Sequence, residues 1–108
     1  MEILLEVLKA LSDETRLNIL TQLLTHDFCV GVLAERVGIS EAAVSQHLQV
    51  LRLAGLVTGE KRGYFTHYSV DRDLLKNTAD DLIKLSQTPA QAREGCPKKH
   101  RHLLMEDL

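Results

Sequence analysis

At 108 residues, with 44% hydrophobic and 26% charged side chains, the chain has the size and composition of one globular domain and is too short for two cores. No apolar stretch approaches the roughly 18 residues of a membrane span. Met1-Glu2 opens directly into a helical pattern with no signal-peptide layout, so a cytoplasmic protein without membrane contact is expected. A net charge of −2 argues at first against a nucleic-acid partner.

The pattern begins with Ile3, Leu4, Val7, Leu8 and Leu11, which predicts a helix over residues 2–11 with an unusually wide apolar stripe. Such a stripe has two surfaces to cover, its own core and a second subunit. Ser12 is placed to cap the next helix, with Asp13 and Glu14 where the helix dipole favours acids. That helix shows Leu17, Leu20 and Leu24 on one face and is expected to run to about Thr25. After a connector at His26-Asp27-Phe28, a short helix is predicted over Val30–Val37, with Val30, Leu33 and Val37 inward and Gly38 stopping it. Ile39 fills the turn, and Ser40 caps a fourth helix whose seam is Val44, Leu48 and Leu51 and which Gly55 ends.

The period then becomes extended. Leu56-Val57-Thr58 and Tyr64 to Val70 are rich in β-branched and aromatic residues, and Glu60-Lys61-Arg62-Gly63 reads as a charged turn between two strands. From Asp71 a last helix carries Leu74, Leu75, Thr78, Leu82 and Leu85 and ends before Pro89. The expected fold is mainly α with a β-hairpin wing, ordered helix-helix-helix-helix-strand-strand-helix. Residues 1–88 form the domain and 89–108 a basic tail holding Cys96, His100 and His102.

Charge distribution softens the objection raised by the net value. Residues 40–70 are net +1 and residues 93–102 net +3, while the acids concentrate elsewhere. The run from Leu33 to Leu48 has helix-turn-helix spacing, with small Ala34 at the crossing, Gly38 at the turn, and Ile39 and Val44 locking the second helix. A plain αα-hairpin would have the same spacing. The outward face of this second helix, however, presents Ala42, Ser45, Gln46 and Gln49, short polar and amide side chains suited to base edges in a major groove.

The run Ser40-x-x-x-Val44-Ser45-Gln46-His47-Leu48-x-x-Leu51-x-x-Ala54-Gly55-Leu56-Val57, followed by Lys61-Arg62-Gly63-Tyr64, resembles the ArsR/SmtB family of repressors over roughly residues 3–85. The resemblance implies a homodimer joined through the first and last helices, with two reading helices in successive major grooves of an inverted repeat and the hairpins as wings. It implies base contacts from Ser45 and Gln46, groove-facing positions for Glu41 and Ala42, and phosphate contacts from Ser40, Lys61 and Arg62. His47 reads as a structural residue on the seam side and His67 as a strand surface residue.

The best-known members of that family release DNA on binding a metal or metalloid ion, one site type using Glu-Leu-Cys-Val-Cys-Asp-Leu at the start of the third helix. The corresponding run here is Asp27-Phe28-Cys29-Val30-Gly31-Val32-Leu33, which keeps the first cysteine and replaces the second with Gly31. A second site type needs histidine on the last helix, and residues 71–87 have none. Cys29 and Cys96, with His100 and His102 as further ligands, form the expected sensor for a thiophilic ion of arsenite or zinc type. A Cys29–Cys96 disulfide switch and a pair of inert thiols are the alternatives. There is no Gly-rich phosphate loop, no His-Glu-x-x-His and no plausible Ser/His/Asp order, so an enzyme is not expected. A winged helix used purely for protein docking is the remaining alternative.

Overall fold

The structure, a computed structural model, describes residues 1–91. In chain order its elements are α1 (Glu2–Leu11), α2 (Glu14–Leu23), α3 (Val30–Val37), α4 (Glu41–Leu53), β1 (Val57–Arg62), β2 (Phe65–Val70) and α5 (Arg72–Ser86). This is the expected order.

Helix α1 turns Leu4, Val7 and Ala10 into the core and leaves Ile3, Leu5 and Leu8 exposed, so the wide stripe is only half used by this chain. The junction to α2 corrects one expectation. Ser12 closes α1, its hydroxyl donating to the Lys9 carbonyl at 2.8 Å, and Asp13 is the N-cap of α2, accepting from the Arg16 amide at 3.0 Å. A carboxylate is the stronger acceptor at the positive end of a helix, so the cap falls on the acid. That amide bond chiefly holds the Asp13 carboxyl below its ordinary range, opposed by some desolvation and helped by the charges of Arg16 and His47. The Arg16 guanidinium also donates to the Ala10 carbonyl at 2.7 Å, satisfying the end of α1.

The buried face of α2 is Ile19, Leu20 and Leu23 rather than Leu17, Leu20 and Leu24. Leu17 is 48% exposed, and the helix stops at Leu23. It packs against α1, α3, α4 and β2, and the number of neighbours, which a helical period does not reveal, decides which stripe is buried. Beyond it, Gly38 takes φ 83° and ends α3. Gly38 and Ile39 both donate to the Ala34 carbonyl, at 2.8 and 3.1 Å, which sets the tight turn into α4. Ser40 caps α4 through its hydroxyl, which accepts from the Ala43 amide at 3.1 Å.

Strands β1 and β2 pair antiparallel from Val57↔Val70 to Arg62↔Phe65. The turn is therefore Gly63-Tyr64 alone, and Glu60, Lys61 and Arg62 are strand residues rather than turn residues. Gly63 has φ 68° and Tyr64 does not have positive φ, as a two-residue hairpin with glycine first requires. Charge misleads here because most of β1 is exposed and needs no apolar alternation. Leu56 and Val57 anchor the hairpin in the core with α1–α4, and Asp71 caps α5 by accepting from the Leu74 amide at 3.0 Å. Arg72 pins the start of α5 to the end of α2, donating to the Leu24 carbonyl at 2.6 Å.

Candidate nucleic-acid interface

Helix α4 has two chemically opposed faces. Val44, Leu48 and Leu51 are fully buried, which fixes the helix against α2 and α3, and Glu41, Ala42, Ser45, Gln46 and Gln49 are all exposed. The sequence-predicted base-reading residues thus stand together on one solvent-facing surface. Gln49 is lightly engaged by the Arg52 guanidinium at 3.4 Å, and Ser45 and Gln46 have no side-chain hydrogen bonds among the described residues. Ser40 is occupied as the cap, which leaves its hydroxyl able to donate outward while it accepts from the helix.

The wing places Lys61 in solvent and ties Arg62 down. Its guanidinium donates to Glu60 Oε1 at 2.9 and 3.1 Å and to Asp27 Oδ2 at 3.1 Å, and both carboxylates raise its pKa further, Glu60 first. All three groups are substantially exposed, and pairs of this kind are worth at most about 1 kcal/mol, so a phosphate can compete for the arginine.

His47 is half-buried near Asp13, in keeping with a structural role. His67 departs from the expected strand surface. It is half-buried, its Nδ1 lies 3.1 Å from the Asp27 carbonyl, and its backbone forms an isolated bridge with Cys29. The adjacent Tyr68 amide donates to the Phe28 carbonyl at 3.1 Å. The connector 27–29 is therefore stitched to the wing as well as to α3. Asp27 and His67 were missed as coupling residues because their partners lie 35 and 40 positions away along the chain.

Cys29 is the N-cap of α3, half-buried with a free thiol. Among the described residues no group of three or more His, Cys, Asp or Glu side chains is arranged to hold a metal ion. The predicted partners Cys96, His100 and His102 lie outside the described residues.

A separate surface lies on α1 and α5. Ile3, Leu5 and Leu8 of α1 and Leu82, Ile83 and Leu85 of α5 are exposed apolar residues on two helices that touch each other. A cavity of about 320 Å³ opens between them, lined by Met1, Leu4, Asp81, Lys84, Leu85 and Thr88. Among the described residues no helix is long and apolar enough to cross a membrane.

The profile of the family described as bacterial regulatory protein, arsR family, matches residues 13–58, which span α2 to the start of β1. The chain is similar to the transcriptional repressor SdpR of Bacillus subtilis, 36% identical over 77 residues that cover 71% of this chain and 86% of that protein. Among solved structures it is similar to an ArsR-like transcriptional regulator from Rhodococcus sp. RHA1, with TM-score 0.75 and 32% identity, covering 98% of this chain and 91% of the other. The homodimeric winged helix-turn-helix DNA-binding domain Mb0332 from Mycobacterium bovis shares the fold, at TM-score 0.67 and 24% identity over 88% of this chain and 89% of that one.

Proposed function

The chain belongs to the arsR family of bacterial regulatory proteins, and on that premise we propose that it is a homodimeric, sequence-specific DNA-binding repressor. The observation that carries the proposal is the face of α4, where Ser45 and Gln46 are exposed in front of a fully buried Val44-Leu48-Leu51 seam. A rigid back and a short polar front fit an element that reads base edges in the major groove. Glu41, Ala42 and Gln49 extend that front, and Ser40, Lys61 and Arg62 contact phosphate around it. Two copies joined through α1 and α5 would set the reading helices about 34 Å apart on an inverted repeat. Such a protein works where the chromosome is, in the cytoplasm.

The test is a gel shift with DNA from upstream of its own gene at stated salt. Gln46→Ala changes both subunits and is expected to weaken operator binding at least about 30-fold, two lost bidentate base contacts at about 1–3 kcal/mol each, and to relax preference at one position of each half-site. Binding should fall with rising salt. No shift at low salt, with reductant and chelator present or absent, would favour a protein-docking module instead.

For the signal, we propose that a thiophilic metal or metalloid ion releases the DNA. The described residues do not by themselves complete a site for such an ion, since Gly31 stands where a second thiol would be. The proposed donors are Cys29 and Cys96, from the same or opposite subunits, with His100 and His102. A two-thiol count also favours a second reading: it is short of three thiolates but sufficient for one disulfide, formed as both thiols lose a proton and two electrons pass to an oxidant. In either case the effect on DNA is bounded by how much better the signal binds the low-affinity conformation.

These readings separate in one experiment on reduced, anaerobic protein. Zinc or arsenite is expected to release DNA from the natural sequence and to fail with Cys96→Ser. Release by diamide alone, reversed by dithiothreitol, would establish the disulfide reading in its place, and no response to either would leave both thiols without a sensing role.

A further inference from the structure

A second cavity, of about 260 Å³, lies between the start of α3, the start of α4 and the wing. We propose that it binds a small organic ammonium ion, with Glu41 as the counter-charge and Tyr64, Phe65 and Tyr68 as aromatic walls. The chain has only four aromatic residues of the Phe, Tyr and Trp types, and three of them line this one cavity. Cys29, Val30, Gly31 and Thr66 complete the lining, which among the described residues contains no Lys, Arg or His. Glu41 is the one charged side chain among these lining residues, and an acid among aromatic faces attracts cations, the faces acting through their negative quadrupole.

The geometry of each wall agrees. Gly31 sets the start of α3 beside the carboxylate, since a Cβ there would stand in ordinary van der Waals contact, 3.6 Å from Glu41 Oε2. Among the described residues the Glu41 carboxylate takes part in no ion pair, so its charge is available to an occupant. Tyr68 is a fixed wall: its ring edge lies over its cross-strand partner Gly59, 3.0 Å from where a Cβ would be. Tyr64 is 96% exposed and Phe65 61% exposed at the wing tip, so the rim is free to fold over a ligand. A volume below the roughly 300 Å³ at which drug-sized sites begin restricts the occupant to a small ion.

Position gives the site a regulatory consequence that rests on the DNA-binding reading above. Glu41 is in the first turn of the reading helix, and Tyr64 and Phe65 belong to the wing, so an occupant sits between the two elements that would face DNA. Cys29 lines the same cavity, and an electrophile captured by its thiol is the rival occupant.

Both tyrosines line the cavity and the chain has no Trp, so its intrinsic emission reports on this site. Titration of the full chain with tetramethylammonium chloride should change tyrosine emission saturably, and sodium chloride at equal ionic strength should not. Glu41→Gln and Phe65→Ala, both at exposed positions and both retaining the tyrosines, should each raise the midpoint by about tenfold, with circular dichroism confirming the fold. Cys29→Ser should leave the midpoint unchanged. A linear or absent response, a midpoint unmoved in both Glu41→Gln and Phe65→Ala, or one abolished by Cys29→Ser would overturn the proposal. A gel shift of the natural sequence without tetramethylammonium keeps the two inferences distinct: saturable emission without a DNA shift sinks the repressor, and a DNA shift without saturable emission sinks the ammonium site.

Discussion

Ile83→Glu is expected to yield a folded monomer whose operator affinity is at least about a hundredfold below that of the natural sequence, from loss of two-site avidity. Ile83 is 53% exposed on α5, on the side away from the chain's own core, so a carboxylate there costs the isolated domain little. At a two-fold joint the same charge meets itself across an apolar contact, because an isologous interface brings identical patches together. Burying it there without a partner is what splits the pair. Light scattering after size exclusion reads the mass, circular dichroism the fold, and a gel shift the affinity. A variant that stays dimeric and keeps its affinity would move the joint elsewhere, first to the exposed Ile3, Val50 and Leu53 face between α1 and α4.

Leu48→Ala is expected to lower stability by about 3 kcal/mol, within the roughly 2–5 kcal/mol seen for such truncations. In a domain of this size that is a fall in Tm of roughly 10–20 °C. Leu48 is 1% exposed, in the core cluster with Leu33 and Leu51, so truncation leaves a void that close-packed neighbours fill only partly. Thermal unfolding followed by circular dichroism measures the drop. The contrast with Gln46→Ala gives the experiment its value: two positions away on the same helix, that change should move Tm little, since Gln46 is exposed. A Leu48→Ala protein as stable as the parent would show that the buried seam does not hold α4, and the base-reading face would lose its rigid backing.

The agreement between sequence and structure is uneven along the chain, and particular residues show why. Gly38, Ser40 and the Val44-Leu48-Leu51 seam act within a few positions of themselves, through a left-handed turn, a cap bond and a helical period. Each was legible without knowledge of the rest of the fold. The faces of α4 followed too, because one buried stripe fixes which residues remain outside. Asp13 displaced Ser12 as a cap by a single residue, since adjacent good acceptors compete and their surroundings decide. Leu17 and the hairpin turn were misjudged for a related reason: a repeat of three or four does not say how many neighbours a helix has, and an exposed strand carries no alternation to mark it.

The proposed sensor divides between the two levels. Cys29 and the Gly31 substitution are facts of the sequence, and the tail residues proposed to join Cys29 lie outside the described residues. What the amino-acid order determined by itself was the helix-turn-helix, the polar face of α4 and the strands of a wing. Only the tertiary structure decided that Arg62 rests on Asp27, that His67 binds the Cys29 connector to the wing, and that three aromatic rings meet one carboxylate in a cavity. Those contacts join residues far apart in sequence, and their partners are chosen by where packed helices and a hairpin of definite register place them. Caps, turns and periods are settled by atoms a few bonds away, and so could be read first.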